Sequence, residues 1–248
     1  MFENRRVVIT GAGRGIGREM ALAFAEQGAD VLVHYGQARQ EAEEVAARIK
    51  AGGRQVWLVQ ADLARKEEAL RLVEQARTLL GEIDVWINNA GASANTSEAG
   101  ELDEIARFER MLAVDVLAAW ICARGAADFL VEGGSILNIG WNHALDGAPG
   151  FVSQLYGASK GAIISLTRSL AQTYAPRLRV NCLVPGWVEN AWSLSRSESF
   201  RQRIAAQIPL NRWGTAGDLV SAALFLCSPA ASFITGQVLL VDGGEVMH

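Results

Sequence analysis

From Arg5 to Val241 the chain alternates short runs of Val, Ile and Leu with longer segments of helical pattern. That alternation constrains the fold more than any other feature, because a strand followed by a helix and another strand closes most readily into a right-handed parallel βαβ unit. Strands are expected at Arg5–Thr10, Val31–Tyr35, Gln55–Gln60, Asp84–Asn88, Ser135–Ile139, Arg179–Leu183 and Gln237–Val241. Helices are expected at Ile16–Gln27, Gln40–Lys50, Lys66–Leu80, Leu102–Leu130, Leu155–Tyr174 and Asp218–Cys227. The strand runs are apolar with little alternation, which fits a sheet covered by helices on both faces. No linker, repeat or low-complexity tract interrupts residues 1–248, so they are read as a single α/β domain with a doubly wound, parallel, seven-stranded sheet.

Composition narrows the class of function. The formal charge is −4 over 248 residues, with no basic face for nucleic acid or an anionic membrane surface. No segment carries the ~20 apolar residues of a membrane span, and the first residues lack the apolar core of a signal peptide. Cys122, Cys182 and Cys227 are widely spaced and form no zinc pattern, so no metal is expected and a reducing cytoplasm is the natural compartment.

The first strand runs into Thr10-Gly11-Ala12-Gly13-Arg14-Gly15-Ile16-Gly17 and then a helix. Glycines there let an anion approach the backbone amides of a helix N-terminus, where unpaired donors and the helix dipole favour negative charge. A strand, a glycine turn and a helix within the first βαβ unit make a dinucleotide site of Rossmann type. A carboxylate at the end of the second strand would hold the ribose 2′-hydroxyl of NAD(H). This chain has His34-Tyr35-Gly36 there, with Arg14 and Arg39 nearby. The expectation is NADP(H) over NAD(H), with a guanidinium facing the 2′-phosphate; the plain alternative is that both arginines are solvated.

Tyr156 and Lys160 lie four apart on an expected helix and so share a face. Hydride transfer to a carbonyl carbon leaves an alkoxide that needs a proton, and a phenol supplies one. A neighbouring ammonium favours the phenolate left behind, whose unperturbed pKa is about 10.

Further motifs extend the pattern along the chain: Asp62-Leu63, Asn88-Asn89-Ala90-Gly91, Tyr156-Gly157-Ala158-Ser159-Lys160, Pro185-Gly186, Asn211–Gly214 and Thr235–Gly244. In this order and spacing the chain resembles the short-chain dehydrogenase/reductases over nearly its whole length, and within them the 3-oxoacyl-carrier-protein-reductase-like members. The resemblance implies an oxidoreductase acting on a small carbonyl or alcohol substrate. It implies that Gly11, Arg14, Gly15, Ile16, Gly17 and Tyr35 bind the cofactor, with Asp62 and Leu63 at the adenine. Asn88, Ala90 and Gly91 would line the ribose and nicotinamide side, and Pro185, Gly186 and Val188 the nicotinamide ring. Lys160 would also bond the ribose. A homotetramer through Leu102–Leu130 and Leu155–Tyr174 is implied as well.

Two departures bear on activity. Asp115 stands where the family has an asparagine that holds a water behind the lysine; it accepts hydrogen bonds but donates none, and it puts a negative charge near Lys160. The family's serine after the fifth strand is missing. Counted from the strand its place falls on Trp141, and counted back from Tyr156 on His143. Either the Asn142 amide or the His143 imidazole then bonds the substrate oxygen beside a Trp141 wall, or Trp141 fills the pocket. In the second case the chain is a weak enzyme or a catalytically degenerate dinucleotide-binding protein with a regulatory or structural role. Asn190 replaces the family's threonine, either holding the carboxamide or capping a helix. Trp141, Trp187 and Trp192 are expected around a cleft for a flat or ring-containing substrate, with subunit or surface packing the alternative. The insertion Asn190–Gln207 is a candidate lid.

Overall fold

The computed structural model describes residues 1–92 and 102–247. Seven parallel strands form one sheet in the order β3-β2-β1-β4-β5-β6-β7. They are β1 (Arg6–Ile9), β2 (Asp30–Tyr35), β3 (Val56–Gln60), β4 (Ile83–Asn88), β5 (Leu130–Ile139), β6 (Arg179–Pro185) and β7 (Val238–Val241). β1 pairs with β2 on one side and β4 on the other. The strand order reverses there, and a crevice opens beyond the strand ends where such sheets bind ligands.

Successive side chains of β1 enter opposite layers. Val7 and Ile9 pack with α1 (Gly15–Glu26), α2 (Arg39–Ala51) and the late helix Ala216–Cys227. Val8 packs with α3 (Lys66–Leu80) and with Leu170 and Ala171 of the helix Phe151–Tyr174. Apolar side chains on both faces explain the unbroken Val/Ile/Leu runs.

The segment expected as one helix from Leu102 to Leu130 is built differently. Asp103 caps α4 (Glu104–Met111) by accepting from the Ala106 N–H at 2.8 Å. The winding then loosens to a π-helix over Leu112–Ala118 and tightens again in α5 (Ala119–Ala127). Leu130 opens β5, which begins five residues before the expected Ser135. The Gly133-Gly134 pair hides this in the sequence: Ile83 pairs with Leu130 but Val85 with Ser135, so the glycines ride in a bulge within the strand. The helix expected from Leu155 starts a turn earlier, as α7 (Phe151–Tyr174), after the short α6 (His143–Asp146).

The candidate lid folds as α8 (Ala191–Leu194) and α9 (Glu198–Ala205). Ile204, Ile208 and Trp213 are buried in a small core with Trp187, Trp192 and Phe200. Trp187 stacks on Trp192 with centroids 6.3 Å apart and meets Trp213 edge-on at 5.3 Å. α10 (Ala216–Cys227) follows, fixed by a Thr215–Asp218 capping box and a two-toothed contact from Arg212 to Asp218 at 2.9 and 2.7 Å.

A buried polar chain ties β4, β5 and α7 together. Trp86 Nε1 donates to Asn88 Oδ1 at 2.8 Å, and Asn88 Nδ2 donates to Asn138 Oδ1 at 2.9 Å. Asn138 Nδ2 donates to Thr167 Oγ1 at 2.9 Å, which donates to the Ile163 carbonyl. Asn88 Nδ2 also meets the Ala119 carbonyl at 3.2 Å, just past the π-stretch. Removing one member leaves desolvated partners behind. Asn138→Ala is therefore expected to cost about 2–4 kcal/mol, read as a lowered urea midpoint at unchanged slope. A midpoint within error of wild type would show that the chain is not a structural tie.

Candidate active site

The glycine turn lies between β1 and α1, and the neighbouring strand ends set its shape. Thr10 Oγ1 accepts from the Asn89 and Ala90 N–H groups, each at 3.0 Å. The Asn89 amide donates back to the Thr10 and Gly11 carbonyls at 2.9 and 3.1 Å. Gly11 has φ +65°, and a Cβ there would lie 2.9 Å from Ala90 Cα. A Cβ on Gly17 would lie 2.4 Å from the Gly11 carbonyl oxygen. Both positions therefore require glycine. The N-cap of α1, Arg14, makes no side-chain capping bond, so the first amides of α1 are left for an anion.

His34 at the end of β2 holds the turn from beneath. Its Nδ1 accepts from the Gly11 N–H at 3.0 Å, and its Nε2 faces the Ala61 carbonyl at 3.0 Å. These partners select the neutral tautomer with hydrogen on Nε2. Burial pushes the imidazole down to about 4, against a smaller opposing effect of the bond to Ala61.

A cleft of about 580 Å³ lies over these strand ends, lined by Gly11, Gly13, Arg14, Tyr35, Asp62, Leu63, Ala90 and Gly91 among others. His34, Tyr35 and Gly36 line it where a carboxylate would mark NAD(H), with Gln37 and Ala38 just beyond, and Arg71 and Arg110 add charges that the motifs did not single out. Arg39 bonds Glu43 at 2.9 Å and does not line the cleft. Ile16 packs onto the core, leaving its backbone at the turn. The Asn88 side chain is turned into the interior network above rather than toward the cleft, because the Trp86 and Ala119 groups are buried with it. The uncapped helix start, the glycine cradle and the size of the cleft fit a dinucleotide.

Tyr156 and Lys160 sit one turn apart on α7. The Tyr156 hydroxyl donates to the Ala92 carbonyl at 3.4 Å. Lys160 is buried, its Nζ 3.2 Å from Asp115 Oδ2 and 3.3 Å from the Ile139 carbonyl. Asp115 comes from the π-stretch; its Oδ1 accepts from the Ala92 N–H at 2.7 Å and its Oδ2 from Ser159 Oγ at 3.3 Å. π-turns recur where a helix must aim a functional side chain. Asp115 thus joins the Tyr/Lys helix to the loop that follows β4.

The substrate-side candidates separate. Trp141 packs against Tyr156 with ring centroids 5.8 Å apart. Asn142 is fully buried, its Nδ2 donating to Glu245 Oε2 at 2.8 Å and Asp242 Oδ2 at 3.3 Å. His143 faces carboxylates with both ring nitrogens, Asp146 and Glu245, each at 3.2 Å. The amide and imidazole expected to meet substrate are thus engaged by acids up to 103 residues away in sequence. Asn190 caps α8 through a capping box with Ser193. Trp187 bonds Glu245 through Nε1 at 3.0 Å, and Val188 bridges to Gly214. Pro185 ends β6, and Gly186 abuts Asp242. Among the described residues no group of His, Cys, Asp and Glu can hold a metal ion, and no helix is long and apolar enough to cross a membrane.

A family model described as enoyl-(acyl carrier protein) reductase matches residues 11–245. The chain belongs to the short-chain dehydrogenase/reductase family. It is 36% identical to an uncharacterized oxidoreductase of Mycobacterium tuberculosis over 98% of this chain and 92% of that protein. It is 31% identical to a 3-oxoacyl-[acyl-carrier-protein] reductase of Staphylococcus aureus over the full length of both. A short chain dehydrogenase from Burkholderia cenocepacia, solved in complex with NADP, superposes with a TM-score of 0.89 at 31% identity, over 98% of each chain.

The His34 strut has a pH signature. The unfolded chain takes up a proton near 6.5 and the folded chain only near 4. The stability this group contributes is therefore complete above pH 6.5 and is lost as pH falls toward 4, at up to about 1.4 kcal/mol per pH unit. Urea midpoints between pH 7 and 4 should fall more steeply for wild type than for His34→Asn; parallel curves would rule the effect out.

Proposed function

We propose that the protein is an NADP(H)-dependent carbonyl reductase or alcohol dehydrogenase, with Tyr156 as proton donor and acceptor. The observation that carries this reading is the joint placement of Tyr156 and the buried Lys160 on one face of α7, beside the loop after β4 that borders the cleft. A dinucleotide bound in the cleft would supply or accept the hydride. As charge builds on the substrate oxygen, the Tyr156 hydroxyl gives up its proton, and the Lys160 ammonium stabilises the resulting phenolate. In the oxidative direction the phenolate takes the proton back. Asp115 anchors that ammonium and the Ala92 amide together, so it is read as a positioning residue. Trp141, not serine, stands beside Tyr156. A missing oxyanion donor typically costs ~10²–10³ in rate without abolishing it.

Gly11, Arg14, Gly15, Ile16 and Gly17 would hold the diphosphate, Asp62 and Leu63 the adenine, and Ala90, Gly91, Pro185, Gly186 and Val188 the nicotinamide side. NADP(H) over NAD(H) is supported by Arg14 in the cleft, by the absence of a carboxylate among Tyr35, Gly36, Gln37 and Ala38, and by the NADP complex of the Burkholderia neighbour. The substrate is read as a small carbonyl or alcohol, with Trp141 favouring a flat or ring-containing one. Residues 1–248 are read as one catalytic unit. Its three free, buried cysteines accord with a cytoplasmic site. Exposed Leu112, Leu117 and Trp120 offer an apolar face for the homotetramer that the family resemblance implies.

A screen of NADPH oxidation against ketones, 3-oxoacyl thioesters, quinones and pteridines should yield turnover. Tyr156→Phe should then lower kcat by at least about 10²-fold while NADPH affinity holds. Retained turnover would remove Tyr156 from its role. Tight NADPH binding without turnover on any substrate would favour the degenerate binding protein. Parallel titrations should show NADPH binding tighter than NADH and Arg14→Ala narrowing the gap; tighter NADH would reverse the cofactor assignment.

A further inference from the structure

Near the C-terminus one side chain belongs to none of the motifs. Glu245 follows the Gly243-Gly244 pair after β7, and its side chain is only 9% exposed. Oε1 accepts from Trp187 Nε1 at 3.0 Å and lies 3.2 Å from His143 Nε2; Oε2 accepts from Asn142 Nδ2 at 2.8 Å. Asn142 and His143 follow β5, Trp187 follows β6 and Glu245 follows β7. One carboxylate therefore joins the ends of three adjacent strands.

A buried carboxylate is tolerated where several donors replace its water. Here a second acid lies close by: Asp242 Oδ2 shares the Asn142 amide at 3.3 Å and accepts from the Val246 N–H, while its Oδ1 accepts from the Gly244 N–H. Those backbone bonds preset the turn that presents Glu245. His143 lies between the Glu245 and Asp146 carboxylates. Its Nδ1 lies 3.2 Å from Asp146 Oδ1 and its Nε2 3.2 Å from Glu245 Oε1. Held at both ends, the imidazole meets Trp141 edge-on, with centroids 5.2 Å apart at 74°. Trp141 in turn lies 5.8 Å from Tyr156.

We propose that Glu245 is a positioning residue for the substrate pocket: through His143 it sets the Trp141 ring against Tyr156, and through Trp187 it fixes the loop after β6. The pocket wall that replaces the family's serine is thus braced from the C-terminal tail. The effect on turnover rests on the role proposed for Tyr156; the mechanical link does not.

The full chain labelled with 5-fluorotryptophan carries seven fluorine reporters, one per tryptophan, assigned with Trp141→Phe and Trp187→Phe. Glu245→Gln should move the Trp141 and Trp187 resonances and leave Trp57 and Trp86 in place. His143→Gln should move Trp141 and leave Trp187. A Trp141 resonance unmoved in both variants overturns the proposal, whatever the activity. If Glu245→Gln disturbs all seven, His143→Gln decides: a shift of Trp141 without Trp187 supports the link, and no shift ends it. With a ketone identified by the reductase screen, Glu245→Gln should raise KM by about tenfold and leave kcat within about twofold. Loss confined to kcat would contradict a positioning role. A wild type without turnover counts against the Tyr156 reading alone and leaves the fluorine result to stand or fall by itself.

Discussion

The seam between the ends of β1 and β4 is the constraint on which the site depends. Where two parallel strands part, their backbone groups lose ladder partners and still need hydrogen bonds. Thr10 and Asn89 meet that need reciprocally, the hydroxyl accepting two amides and the carboxamide donating to two carbonyls. The glycine turn is thereby held beside Ala90 and Gly91, and its width is set before any ligand arrives. His34 supports the same turn from β2. Preorganisation of this kind lowers the entropy that binding must otherwise overcome.

Near the strand ends two clusters of charged side chains are buried. The Asp115–Lys160 pair has good geometry and neighbouring donors. Such a pair is weak evidence for stability, since desolvation offsets much of the attraction, but breaking it by removing one partner is costly. Its effect is geometric: the ammonium cannot leave the loop after β4. The second cluster, Asp242 and Glu245 with His143, lies after β7 and is satisfied by side chains from the loops after β5 and β6. Both arrangements lie at the C-terminal ends of the strands, where the fold presents functional side chains. The insertion Asn190–Gln207 is no loose flap beside them, for its Trp192, Phe200 and Ile204 share a small core with Trp187 and Trp213.

Much of this was legible in one dimension. Strand and helix alternation determined the α/β class and the parallel sheet, because period and connection length leave few other ways to bury continuous apolar runs. The glycine turn determined where an anion can dock, and the four-residue spacing of Tyr156 and Lys160 determined that they share a face, since both follow from local backbone geometry. Tertiary structure alone decided what the polar side chains bond. The partners that turn Asn88, Asn142 and His143 away from a ligand include Asn138, Asp242 and Glu245, which lie 50 to 103 residues from them in sequence. The π-stretch beneath Asp115 and the bulge at Gly133-Gly134 were also decided there. Both depend on what the neighbouring elements require of the backbone rather than on local propensity.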